Sequence, residues 1–166
     1  MKKIINWSLT MALVTVLTIS FFACGDDNDT RDMLKPVISS EGITANPINC
    51  QRYYRGDVIP FHYILKDNDE LGSYDIEIHS NFDHHTHSTE SPTQCHSHLD
   101  EDHSEPVNPW VFNRSYILPD GFKTFEARHD IEIPSDIDPG DYHFMVRVID
   151  KSGWQELLAV EIEIVE

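Results

Sequence analysis

Seven of the ten histidines of this chain fall between positions 79 and 103: His79, His84, His85, His87, His96, His98 and His103. They form two tight runs, His79-Ser80-Asn81-Phe82-Asp83-His84-His85-Thr86-His87 and Cys95-His96-Ser97-His98. Neutral imidazole is a preferred ligand for borderline divalent metals, and nearby carboxylates complete or orient the shell. Asp83, Asp100, Glu101 and Asp102 supply such carboxylates. This density of donors points to a metal centre. The plainer reading is a solvated tract whose imidazoles bind metal weakly and incidentally.

The elements that must position these donors are strands. Alternating or β-branched runs separated by turn signals predict strands over 36–42, 57–66, 73–80, 110–117, 124–133, 142–150 and 156–165. The expected fold is all-β, an immunoglobulin- or fibronectin-like seven-stranded antiparallel sandwich, with one long His-rich loop inserted at 81–108. In the third strand Tyr74, Ile76 and Ile78 alternate inward, which turns Asp75, Glu77 and His79 outward. In the sixth, Tyr142, Phe144, Val146 and Val148 face inward and His143 outward. If the two strands are antiparallel neighbours, His79 and His143 share one end of one outer face, where the His-rich loop leaves. The expected ligands are therefore His79 and His143, joined by His85 or His87 and by Asp83, with His84, His96 and His98 in the same set.

Zn²⁺ suits such a set best, Cu²⁺ binds the same imidazoles more tightly by the Irving-Williams order, and Ni²⁺ and Co²⁺ are further alternatives. Cu⁺ is disfavoured, because few thioethers accompany the imidazoles. His62 and His129 are expected to be ordinary strand residues. Asp150-Lys151-Ser152-Gly153 predicts a hairpin turn that uses Gly153 at positive φ. Asp138-Pro139-Gly140-Asp141-Tyr142 predicts a corner in which the tyrosine hydroxyl bonds back to the main chain. Trp110 and Trp154 are expected to pack in the core or at its rim.

The start of the chain has a different purpose. Lys2 and Lys3, the apolar run from Met11 to Phe22, and Ala23 before Cys24 make a leader, so residues 1–23 are expected to be a cleaved lipoprotein signal peptide. Phe21-Phe22-Ala23-Cys24-Gly25 resembles a lipobox, which implies lipidation of Cys24. Residues 24–34, with Asp26-Asp27-Asn28-Asp29, form an acidic tether, and residues 35–166 the domain. The tether resembles the signal that sends lipoproteins of Bacteroidetes to the outer face of the outer membrane. Cys50 and Cys95 then remain in an oxidising compartment, where a disulfide between them is the favoured reading and Cys95 as a thiolate ligand the alternative. The net charge of −17 argues against nucleic acid as a partner and leaves cations as the natural counter-ions.

The motif from Ile76 to His87, with Pro139-Gly140-Asp141-Tyr142-His143-Phe144 and Asp150-Lys151-Ser152-Gly153-Trp154, resembles an uncharacterised, domain-of-unknown-function family of Bacteroidetes lipoproteins. The likeness spans residues 35–166 and implies location and architecture more than activity. His-rich members look like accessories to metal uptake. The expected function is therefore non-catalytic: an outer-membrane, surface-exposed, lipid-anchored protein that captures a divalent metal, buffers it or delivers it to a transporter. A non-metal interaction or adhesion module is the alternative. A metallohydrolase ranks below both, since no recognisable hydrolase constellation accompanies the histidines.

Overall fold

Strand formation follows from the two-residue apolar period, which lets one face of each strand bury while the other stays polar. The computed structural model describes residues 31–82 and 106–166. Eight strands are found: β1 (Val37–Ser39), β2 (Gln51–Tyr54), β3 (Val58–Lys66), β4 (Leu71–Ser80), β5 (Phe112–Ile117), β6 (Thr124–Glu132), β7 (Gly140–Asp150) and β8 (Gln155–Val165). They form a three-stranded sheet in the order β1-β3-β6 and a five-stranded sheet in the order β2-β8-β7-β4-β5.

Two features correct the expected seven-stranded antiparallel pattern. β2 is an additional strand, and it pairs with β8 in parallel, Gln51 opposite Ile162 and Tyr54 opposite Val165. Its four residues are too few and too polar to announce themselves, since only Tyr53 is buried. The start of the fifth strand also moves inward: Trp110 is buried while Val111 is 70% exposed, so the regular ladder begins at Phe112.

The inner faces of the two sheets form the core. β3 contributes Ile59, Phe61, Tyr63 and Leu65; β4 contributes Tyr74, Ile76 and Ile78; β7 contributes Tyr142, Phe144, Val146 and Val148, all buried. Each such aliphatic or aromatic side chain contributes about 1.5–3 kcal/mol by leaving water. His129 of β6 also faces inward, stacked on Tyr116 (centroids 4.1 Å apart) and close to Phe61. The Tyr74 hydroxyl meets its Nε2, a polar link between the sheets.

The turn chemistry agrees with the sequence. Gly153 has φ of 92° in the β7–β8 hairpin, and the Tyr142 hydroxyl donates to the Asp138 carbonyl at 2.6 Å and accepts from the Trp110 N–H at 3.3 Å. That corner fixes the start of β7.

Candidate metal centre

β4 and β7 run antiparallel in a register that places His79 directly opposite His143. The two rings lie 5.5 Å apart between centroids, inclined by 59°. Because successive side chains alternate across a sheet, both project from the face opposite the core. That face is nonetheless closed at this end, for His143 is only 1% exposed.

The next strand extends the row. His143 pairs with Glu161 of β8, which is buried although it is a carboxylate. Asn81, also buried, donates from Nδ2 to Glu161 Oε2 at 3.3 Å and from its backbone N–H to the Asp141 carbonyl at 2.8 Å. The Glu161 backbone is held in turn, its N–H donating to Asn49 Oδ1 at 2.9 Å and its carbonyl accepting from Cys50 at 2.8 Å. On the other side, His79 Nδ1 lies 3.1 Å from Glu77 Oε1. Two imidazoles are thus flanked by carboxylates along three adjacent strands. Buried carboxylates and imidazoles are costly unless paired or coordinated, and along this row they lie side by side.

Sequence reasoning singled out His79 and His143 as candidates and their shared face, which the register shows, but not Glu161, Asp141 or Asn81 beside them. A usable signal was there: Asp141 and His143 occupy outward slots of β7, as Glu161 and Glu163 do of β8. Beyond the histidine row the outer face opens into a shallow polar groove lined by Asp75, Glu77, Ser115, Met145 and Arg147.

The remaining candidates are distributed as follows. Asp83, His84, His85, His87, Cys95, His96 and His98 lie outside the described residues, as does Cys24. Cys50 is disulfide-bonded, and its partner lies outside the described residues. His62 is held by Thr44 O at 3.1 Å and Glu126 Oε1 at 2.8 Å, and His129 belongs to the aromatic core. Among the described residues, the one group of three ligand-type side chains whose donor atoms all lie within 4.8 Å of one another is elsewhere, at Asp32, Asp67 and Asp150.

A family model described as a domain of unknown function, DUF4625, matches residues 22–165. The chain belongs to that family. No curated protein matches this DUF4625 chain. Among solved structures, wild-type OgpA from Akkermansia muciniphila is similar at 13% sequence identity and a TM-score of 0.46. The likeness covers 80% of the DUF4625 chain but 30% of the OgpA chain, so the chain spans less than a third of OgpA's length.

Proposed function

We propose that this DUF4625 chain is a surface-exposed outer-membrane lipoprotein, anchored through Cys24, that captures a divalent transition metal for buffering or for delivery to a transporter. The observation that carries the reading is the cross-strand pair His79 and His143, set 5.5 Å apart by the β4–β7 register. Two imidazoles on a rigid ladder supply half of a tetrahedral shell, and loop donors such as His85, His87 or Asp83 complete it. Zn²⁺ is the favoured ion, with Cu²⁺, Ni²⁺ and Co²⁺ as alternatives. The corner at Tyr142 supports an immunoglobulin-like type for the sandwich.

An interaction module is the second reading. In its favour, β5 is an edge among the described strands and Ile117 on it is 86% exposed, with Val111 just ahead at 70%. Calorimetric titration of the chelator-stripped full chain with Zn²⁺, Cu²⁺ and Ni²⁺, beside a His79→Ala/His143→Ala variant, decides between them. Tight stoichiometric binding that disappears in the variant is the expected result. Weak, multivalent binding that survives in the variant would sink the metal reading in favour of the interaction module.

A further inference from the structure

At the opposite end of the same two strands lies a second constellation, of a different chemical kind. Leu71 pairs with Asp150 where His79 pairs with His143, and the seven residue steps of β7 from His143 to Asp150 span about 24 Å at the rise of a strand. Asp150 ends β7, Asp67 directly follows β3, and Asp32 precedes β1. Three segments distant in sequence thus deliver one carboxylate each to a common point, with donor oxygens all within 4.8 Å of one another.

The hydrogen bonding shows that these side chains are aimed and not merely crowded. Asp150 Oδ1 accepts the Trp154 N–H at 2.8 Å, Asp67 Oδ1 accepts the Asp69 N–H at 2.8 Å, and Asp32 Oδ1 accepts Asn68 Nδ2 at 2.8 Å and the Leu34 N–H at 3.1 Å. In each case the other oxygen, Oδ2, is buried and has no hydrogen-bond partner. Asp150 is itself only 4% exposed, so its Oδ2 is an unpartnered acceptor sealed from water beside two further negative charges. A buried carboxylate oxygen in that condition costs several kcal/mol unless a cation meets it.

We propose that Asp32, Asp67 and Asp150 form a Ca²⁺ site that fastens the segment preceding β1 to the ends of β3 and β7. The donors are all oxygen, which selects a hard cation over the borderline metals that imidazoles favour. Their mutual separations, all within 4.8 Å, do not exceed the span of about 4.8 Å between oxygens on opposite sides of a Ca²⁺ at about 2.4 Å. Mg²⁺ is disfavoured, because it requires a tighter octahedron and gives up its waters reluctantly. The Trp154 indole already reaches across, donating from Nε1 to the Asp32 carbonyl at 2.9 Å; an ion beneath it would lock the same junction. This site is independent of the histidine reading.

The indole also provides the assay. Tb³⁺, a luminescent stand-in for Ca²⁺, is added to the chelator-stripped full chain with excitation of tryptophan, then displaced by calcium chloride or magnesium chloride. The expected result is sensitised emission that Ca²⁺ removes at far lower concentration than Mg²⁺, that falls sharply in Trp154→Phe, and that needs about tenfold or more Tb³⁺ in Asp67→Asn and in Asp150→Asn, since affinity follows the ligand charge count. His79→Ala/His143→Ala is expected to leave it unchanged. Emission that is absent, or that persists in both Asp→Asn variants, would overturn the proposal, and selective displacement by Mg²⁺ would overturn the assignment to Ca²⁺.

Discussion

Replacing Tyr142 by phenylalanine deletes one oxygen from a side chain that is otherwise wholly buried. That oxygen donates to the Asp138 carbonyl at 2.6 Å and accepts from the Trp110 N–H at 3.3 Å. The ring keeps its contacts with Phe82 and Trp110, at centroid distances of 5.4 and 6.3 Å, so the change removes hydrogen bonding without opening a cavity the size of a side chain. A net bond contributes about 0.5–1.5 kcal/mol, and a buried group stripped of its partner costs about 1–3 kcal/mol. The Asp138 carbonyl sits at a half-exposed corner where water can replace the hydroxyl, whereas the Trp110 N–H is buried. The loss is therefore expected near the sum of one ordinary bond and one desolvation at the low end of its range, about 1.5–2.5 kcal/mol. Equilibrium urea unfolding of the oxidised chain should show a lower midpoint at unchanged slope. Metal affinity should remain close to that of the parent, because His143 points from the other face of β7 and is held by its pairing with His79. A midpoint indistinguishable from the parent's would refute the view that this corner stabilises the start of β7.

Gly140→Ala meets two obstacles, a φ of 136° and a Phe82 ring atom 2.8 Å from the new Cβ; a stability loss above about 1 kcal/mol is expected, only partly recovered in a Phe82→Ala background, and full recovery there would mean the backbone angle costs nothing. Burial first, and then the Arg114 charge, hold the His129 imidazole below its usual value, so its contribution to stability is intact above about pH 6.5 and is lost as pH falls through the lowered folded value. His129→Gln should flatten that part of the urea midpoint measured against pH; an unchanged slope would show that other histidines carry it. Reducing the Cys50 disulfide should cost about 2–4 kcal/mol, and non-reducing peptide mapping should recover Cys50 joined to Cys95, which would remove Cys95 from the ligand set because a disulfide sulfur has no thiolate to offer.

The sheets were legible where the apolar period was long. β3, β4, β6, β7 and β8 each carry enough alternation to fix their inner face, and parity alone then put His79 and His143 on a shared outer face. Three things could not be reached that way. β2 has one buried residue in four, so periodicity has nothing to work on, and its parallel pairing is a tertiary choice. Parity says which face a side chain leaves by but not whether that face is covered, which is why the burial of His143 and Glu161 was invisible. Asp32, Asp67 and Asp150 lie at strand ends and in a connecting segment far apart in the chain, where acids are the commonplace residues of turns; only the tertiary fold makes them converge.

The two proposed sites hang from opposite ends of one ladder, and this allows a sharper test of how the fold uses it. Coupling between two sites requires a structural element with two arrangements whose balance both ligands bias. The β4–β7 pairing runs in register from Ser73 opposite Ile149 to Ser80 opposite Tyr142, with its one irregularity between Leu71 and Ser73. Its inward residues Ile76, Ile78, Val146 and Val148 are sealed in the core. Such a close-packed element is hard to compress and transmits strain, so we expect it to offer no second arrangement for the two ligands to bias. The expected result is independence: Zn²⁺ affinity measured with saturating Ca²⁺ should match that measured without it, well inside the roughly fivefold change at which coupling becomes appreciable. By reciprocity Zn²⁺ should leave Ca²⁺ affinity unchanged as well. A larger change in both directions would mean that the ladder does move, and the irregularity beside Asp150 would be the first place to look, since a Cβ at Gly72 would stand only 3.0 and 3.1 Å from the Asp150 and Ile149 carbonyl oxygens. Gly72→Ala would then alter the coupling, whereas in a rigid ladder it would alter only stability.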